Sequence, residues 1–316
     1  GRRSWLQESP VFQHRTHEPD LVRLWLLRML FQFGCLGQFV QKDDFDNSSV
    51  AYFLGLKEFV EEGNFDRKKI LEKLKNSHAE LEHRFASGDL QYSEVLVSNM
   101  ALLQEVAGLN ADECRLLVFA VLMETDRALS HACSTWLDDI SAHICFGMLS
   151  QILNIEHDWV MAALSSRGKL IRCGLLSMDG RANCSVRHRI DVLEGFSNRL
   201  LSHVSTVEDF LSNIVKSGKC PTLVVDDYSH IQKDMDLLMR YLPSVIEAKK
   251  SGVNILIYGS PGTGKSELVR LLANRLRIDL LEVSSEDEDG DSIIGRRRLR
   301  AFKAAQQFFS SKKTLI

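Results

Sequence analysis

Gly259, Ser260, Pro261, Gly262, Thr263, Gly264, Lys265 and Ser266 spell G-x-x-x-x-G-K-S, the spacing of a phosphate-binding loop. Each residue type has a task in that reading. The glycines and Pro261 supply a tight turn, so that successive backbone N–H groups point into one cavity and favour negative phosphates there. Lys265 reaches the beta and gamma phosphates as a point charge, and the Ser266 hydroxyl is offered to a bound Mg²⁺. Glu267 opens the helix that follows and is counted with the loop as a nucleotide-contacting residue. The chemistry needs a strand before the turn and a helix after it. Residues 253–258 predict a short buried strand, and residues 267–275, with Leu268, Leu271 and Leu272 on one stripe, predict an amphipathic helix. The start of that helix adds its own attraction for an anion. ATP or GTP is the ligand class.

Two other groupings of reactive side chains lead elsewhere. His131 with Cys133 and His143 with Cys145 are each two residues apart, a spacing at which helical neighbours diverge, so core or surface histidines are expected rather than metal ligands. Glu286, Asp287, Glu288, Asp289 and Asp291 put five acids in six positions, followed by arginines from Arg296 to Arg300. No Glu closes a twelve-residue calcium loop there. Such a cluster cannot be buried unpaired, so it is a solvated loop, a face paired with the arginines, or a contact for a basic surface.

The elements that must hold the loop belong to a folded, helix-rich chain. Its 316 residues allow two or three domains, and a composition 45% hydrophobic and 26% charged with five prolines is that of a soluble protein. The seven cysteines include no close Cys-x-x-Cys pair, and several lie in apolar runs, so reduced core thiols in a cytoplasmic protein are expected. Residues 21–40 are the most membrane-like stretch, but Arg23, Arg28, Gly34 and Gly37 interrupt it, which predicts a buried or partner-facing helix and no membrane span. The net charge of −3 gives no global reason for nucleic-acid binding. Between Arg167 and Arg199, however, seven basic residues face three acids.

The pattern divides the chain at about 90 and 218. Residues 1–90 predict a helical N-terminal domain whose clearest helix covers 66–85, with Ile70, Leu74, Leu81 and Phe85 on one stripe and a stop at Gly88. Residues 91–218 predict a helical domain with a winged-helix-like segment. In it, Asn110 and Glu113 form a capping pair ahead of the apolar run 116–123. Helices near 146–149 and 158–164, a turn at 165–168 and an extended run over 169–177 then carry the winged-helix resemblance. The helix 158–164 lacks a basic side chain, so a packing or protein-interaction role is favoured over nucleic-acid contact. Thr206 and Asp209, or Ser205 and Glu208, cap a helix over 207–215, and 219–316 form the nucleotide domain.

Asp226, Asp227, Tyr228, Ser229 and His230, a helix over 232–249, and the stretch from Val253 to Ser266 together resemble the opening of an AAA+ ATPase module. They are most similar to bacterial proteins whose C-terminal ATPase is related to the cell-division and proteasomal AAA group. The resemblance implies a helical N-terminal region with a winged-helix-like segment, followed by the start of an α/β P-loop NTPase domain. It implies ATP with Mg²⁺, and hydrolysis in the full-length protein coupled to remodelling of a protein substrate or adaptor. A homo-oligomer, a hexamer in the family, is the implied assembly. An ATP-controlled assembly switch and a nucleic-acid-associated ATPase are the other readings. By the resemblance Asp227, Tyr228 and Ser229 line the base pocket, Tyr228 either covering the ring or filling the core. The pore-facing position falls at Ile293, Ile294 and Gly295, with no aromatic residue to grip a polypeptide. After a second strand at 278–283 and a helix over 300–309, residues 313–316 open a third strand. The acids that orient the attacking water are expected beyond Ile316, the chain being cut short of them. In the family the first and second strands are not neighbours, so exposed strand edges are expected after residue 250.

Overall fold

A computed structural model describes residues 17–61, 65–248, 250, 252–285 and 295–316. The acidic cluster and Ile293–Ile294 lie outside the described residues. Most of the described chain is helical, with a few small sheets, and it divides into two compact units. One contains residues up to 172 together with 176–192 and 196–204; the other contains 173–175, 193–195 and 205–316.

In the first unit the apolar stretch near the N-terminus forms a core helix, α1 (Pro19–Gln32). Its Leu21, Val22, Leu24, Trp25, Leu26, Leu27, Met29 and Leu30 are all buried, which accounts for a composition that resembles a membrane segment. No described helix is long and apolar enough to cross a membrane. Arg28, buried in the middle of α1, is satisfied by both carboxylate oxygens of Glu82 at 2.7 Å and by the Ile152 carbonyl at 2.6 Å. Glu82 belongs to α2 (Arg67–Ser87), which Asp66 caps by accepting from the amides of Lys68 and Lys69; Gly88 ends it in the left-handed conformation. After α3 (Glu94–Ala107), α4 (Ala111–Thr125) starts at a capping box between Asn110 and Glu113, and its residues 116–123 are buried.

A two-residue strand, β1 (Ile140–Ser141), leads into α5 (Ala142–Leu153) and α6 (His157–Leu164). Here one expectation is corrected. Residues 169–172 are helical, α7 (Lys169–Arg172), and the extended chain begins only at β2 (Leu176–Met178). Gly168 is the cause: its backbone lies against Ala163, where an added Cβ would stand 2.0 Å from the carbonyl oxygen, and its own carbonyl accepts from the Arg172 amide. That close turn restarts a helix in a run that reads as strand. After β3 (Asn183–Cys184), β2 pairs antiparallel with β4 (Ile190–Val192), Leu176 opposite Val192. The excess of basic residues is partly internal, since Arg189 is fully buried and donates to the carbonyls of Ile140, Asp179, Arg181 and Ala182.

The second unit carries the phosphate loop. The expected helix over 207–215 ends early, as α8 (Val207–Leu211), although Asp209 does accept from the Ser205 and Thr206 amides as a cap. Val215 is a strand residue, in β5 (Val215–Ser217), whose backbone groups are paired with a distant strand, Val215 opposite Val283. The elements that follow are α9 (Gln232–Glu247), α10 (Lys265–Leu276), β6 (Asp279–Val283), α11 (Arg296–Phe308) and β7 (Thr314–Leu315). β6 lies between β5, antiparallel to it, and β7, parallel to it.

The predicted strand at 253–258 is a second correction. These residues have no β partner among the described residues, and Ile255, Leu256 and Tyr258 are exposed by 44%, 85% and 87%. Both edges of β6 are occupied, so the segment cannot join it, and an extended stretch without a neighbour leaves its N–H and C=O groups to solvent.

Candidate nucleotide-binding site

The loop ends where α10 begins. Gly264 is the residue before the helix and sits in the left-handed region at φ +76°; Gly262 does so at φ +81°. L-residues with side chains rarely adopt that conformation, which gives the glycines of the motif a local reason. The first amides of α10 have no intrahelical acceptor, so Lys265, Ser266 and Glu267 present N–H groups at the positive end of the helix dipole. Lys265 folds over the turn and donates to the carbonyls of Ser260 at 2.7 Å and Gly259 at 3.1 Å. The Thr263 hydroxyl donates to the Ser260 carbonyl at 2.9 Å. Ser266 lies exposed in the first turn. The Lys265 ammonium, the first amides of α10 and a hydroxyl thus meet at one turn, and this donor set suits a polyphosphate and its Mg²⁺.

Of the residues expected at the base, Tyr228 and Ser229 border one small cleft, and Asp227 is not in its lining. Asp227 accepts the Val224 amide at 2.8 Å and starts a short 3₁₀ turn, Val225–Ile231. Ser229 is exposed, on a small cleft of about 150 Å³ shared with Asp226, Gln232 and Arg275. Tyr228 is buried, 3% exposed, in a cluster with Met235, Leu268, Leu271 and Leu272. Its hydroxyl donates to the Gly264 carbonyl at 2.8 Å. The core-filling alternative for this tyrosine describes its surroundings.

Glu267 points away from the loop. Its carboxylate accepts the Thr222 amide at 2.7 Å and hydroxyl at 2.9 Å, and the Arg270 guanidinium at 2.5 Å. The Thr222 amide and then Arg270 hold its carboxyl at about 2, well below the ordinary value. Arg270 also grips Glu282 on β6 and lowers that carboxyl too, so the loop helix is tied both to its sheet and to the chain segment entering the domain. Sequence reasoning missed Thr222, Arg270 and Glu282. Only the i,i+3 spacing of Glu267 and Arg270 was available as a signal.

Elsewhere, six cysteines are buried and Cys220 is exposed, and none of the seven forms a disulfide. Among the described residues no group of His, Cys, Asp and Glu could hold a metal ion. His131 instead pairs with Asp46 at 2.7 Å, beside Trp136.

Comparison with known proteins found no match among curated proteins or among solved structures. The family model of the ATPase family associated with various cellular activities (AAA) matches residues 255–316, from the segment before the phosphate loop to the end of the chain. Residues 255–316, which hold the loop, α10, β6, α11 and β7, are thus similar to the AAA family of ATPases.

Proposed function

We propose that Lys265, Ser266 and the amides of the loop bind the phosphates of ATP with Mg²⁺, and that hydrolysis in the full-length protein drives remodelling of a protein partner. The observation that carries this reading is the meeting of the Gly264 turn, Lys265 and the α10 N-terminus within a segment similar to the AAA family. Mg²⁺ would neutralise charge on the phosphate oxygens when bound. The chain's own residues do the positioning. Amides at the helix start orient the phosphate chain, Lys265 exchanges its loop carbonyls for phosphate oxygens, and the Ser266 hydroxyl faces the metal position. Assembly with copies of itself, hexameric in the family, belongs to the proposal, as does the use of residues 1–218 to recruit the protein substrate or adaptor.

An ATP-controlled assembly switch without efficient turnover is the second reading, and the exposed Ile255, Leu256 and Tyr258 directly before the loop favour it as a surface that assembly would cover. The nucleic-acid reading of the winged-helix-like segment draws less support, because α6 carries no Lys or Arg and Arg189 is consumed internally. ATP turnover by the full-length protein, with and without Lys265→Ala, tests the proposal. A fall of roughly 100-fold or more is expected from losing the phosphate-facing charge. Undiminished turnover in the variant would sink it. Binding without turnover in the wild type would favour the switch.

A further inference from the structure

Tyr228 is held by packing on one side and touches the loop on the other. Its ring is fixed among Met235 from α9 and Leu268, Leu271 and Leu272 from α10, with Leu223, Val225 and Ile231 packed around the same cluster. Its hydroxyl ends 2.8 Å from the Gly264 carbonyl. That carbonyl also accepts the Leu268 amide at 2.8 Å, the first bond of α10, so one oxygen marks the junction between turn and helix. The fit at this point is close. A Cβ at Gly264 would stand 2.9 Å from the Tyr228 hydroxyl and 3.1 Å from Leu223 Cδ1.

We infer that Tyr228 is a positioning residue for the phosphate loop: its hydroxyl sets the orientation of the Gly264 peptide, and through it the amides that receive the polyphosphate. The inference deepens the ATP reading and rests on it. The physical argument is that a peptide in the left-handed region next to glycines has several accessible orientations, and a phosphate site needs one of them. A hydrogen bond from a side chain immobilised in the core selects that orientation before ligand arrives. In this account the hydroxyl, and not the ring, acts on the loop: the ring packs among apolar side chains, stacks on His230 with 6.4 Å between centroids and borders the small cleft of Ser229.

Tyr228→Phe removes the hydroxyl and leaves the packing ring in place. In the full chain, affinity for a fluorescent ATP analogue and its displacement by inorganic tripolyphosphate are measured for wild type and variant, with thermal melts of both. Both affinities are expected to fall together by about five- to tenfold, the consequence of one lost neutral hydrogen bond, with the melting temperature little changed. Wild-type tripolyphosphate affinity in the variant overturns the inference: if ATP binding alone weakens, the tyrosine acts at the base, and if neither weakens, the hydroxyl orients nothing. A large fall in melting temperature with parallel losses would likewise count against it, since that is the signature of a merely structural role. Failure of the underlying reading shows itself separately, as a wild-type protein that binds neither probe.

Discussion

Arg270 Nε and Nη2 meet the two carboxylate oxygens of Glu282 at 2.7 and 2.9 Å, a bidentate pair that fastens the helix of the phosphate loop to the central strand of its sheet. The same guanidinium holds Glu267 one turn earlier, and Glu267 in turn holds Thr222. One planar cation therefore joins α10 to β6 directly and, through Glu267, to the segment at Thr222, a use that suits it because its donors are arranged in a rigid fork.

The network predicts an acid-sensitive domain. Glu267 is lowered from its ordinary 4.5 to about 2, and Glu282 is lowered by Arg270. A depressed carboxyl contributes stability above its unfolded pKa and loses it as pH falls through the folded one, so the contribution is present at neutral pH and lost between about 4.5 and 2. Melting temperatures across that range should fall less steeply for Glu267→Gln than for wild type. Parallel curves for the two proteins would show that Glu267 has no part in the loss.

In the first unit, Arg28 depends on Glu82. With Glu82→Ala, a cation that is 3% exposed keeps the Ile152 carbonyl and the Phe85 ring at 4.7 Å, and the loss falls below the about 3–5 kcal/mol of a fully buried pair because Glu82 itself is 33% exposed. Urea denaturation should register that loss. Adding Arg28→Met to the same background should recover part of it, because an apolar side chain of similar length needs no partner; a further loss would contradict the argument.

Thiol accessibility gives a simple check on the packing. Cys35 and Cys114 are pushed up to about 11 and Cys145 to about 12, chiefly by burial, whereas Cys220 is exposed. An aromatic disulfide reagent at neutral pH should react with one thiol in the native protein and with seven after denaturation. Cys220→Ser should abolish the native reaction, and fast labelling of two or more native thiols would show that the buried set is not packed as described.

Local signals were read correctly where a few adjacent residues hold all the information. The Asn110 and Glu113 box and the Gly88 stop are of this kind, because capping is satisfied within one helical turn. The strands expected over 278–283 and from 313 are present as β6 and β7, but two other expectations failed for the opposite reason. Residues 253–258 have the apolar run of a buried strand, yet β5 and β7 occupy the two edges of β6, while Val215 looks helical by pattern and pairs with Val283 instead. A strand exists only if a partner does, and partners are chosen across the fold.

The amino-acid order alone determined the expected phosphate loop: glycines at 259, 262 and 264, Lys265 and Ser266 spell the proposed polyphosphate cradle within eight consecutive positions. Only the tertiary structure decided what holds that cradle still. Tyr228 lies thirty-six positions from Gly264 and Arg270 twelve from Glu282, so their pairing follows from how α9, α10 and β6 pack, a non-local outcome that residue spacing does not encode.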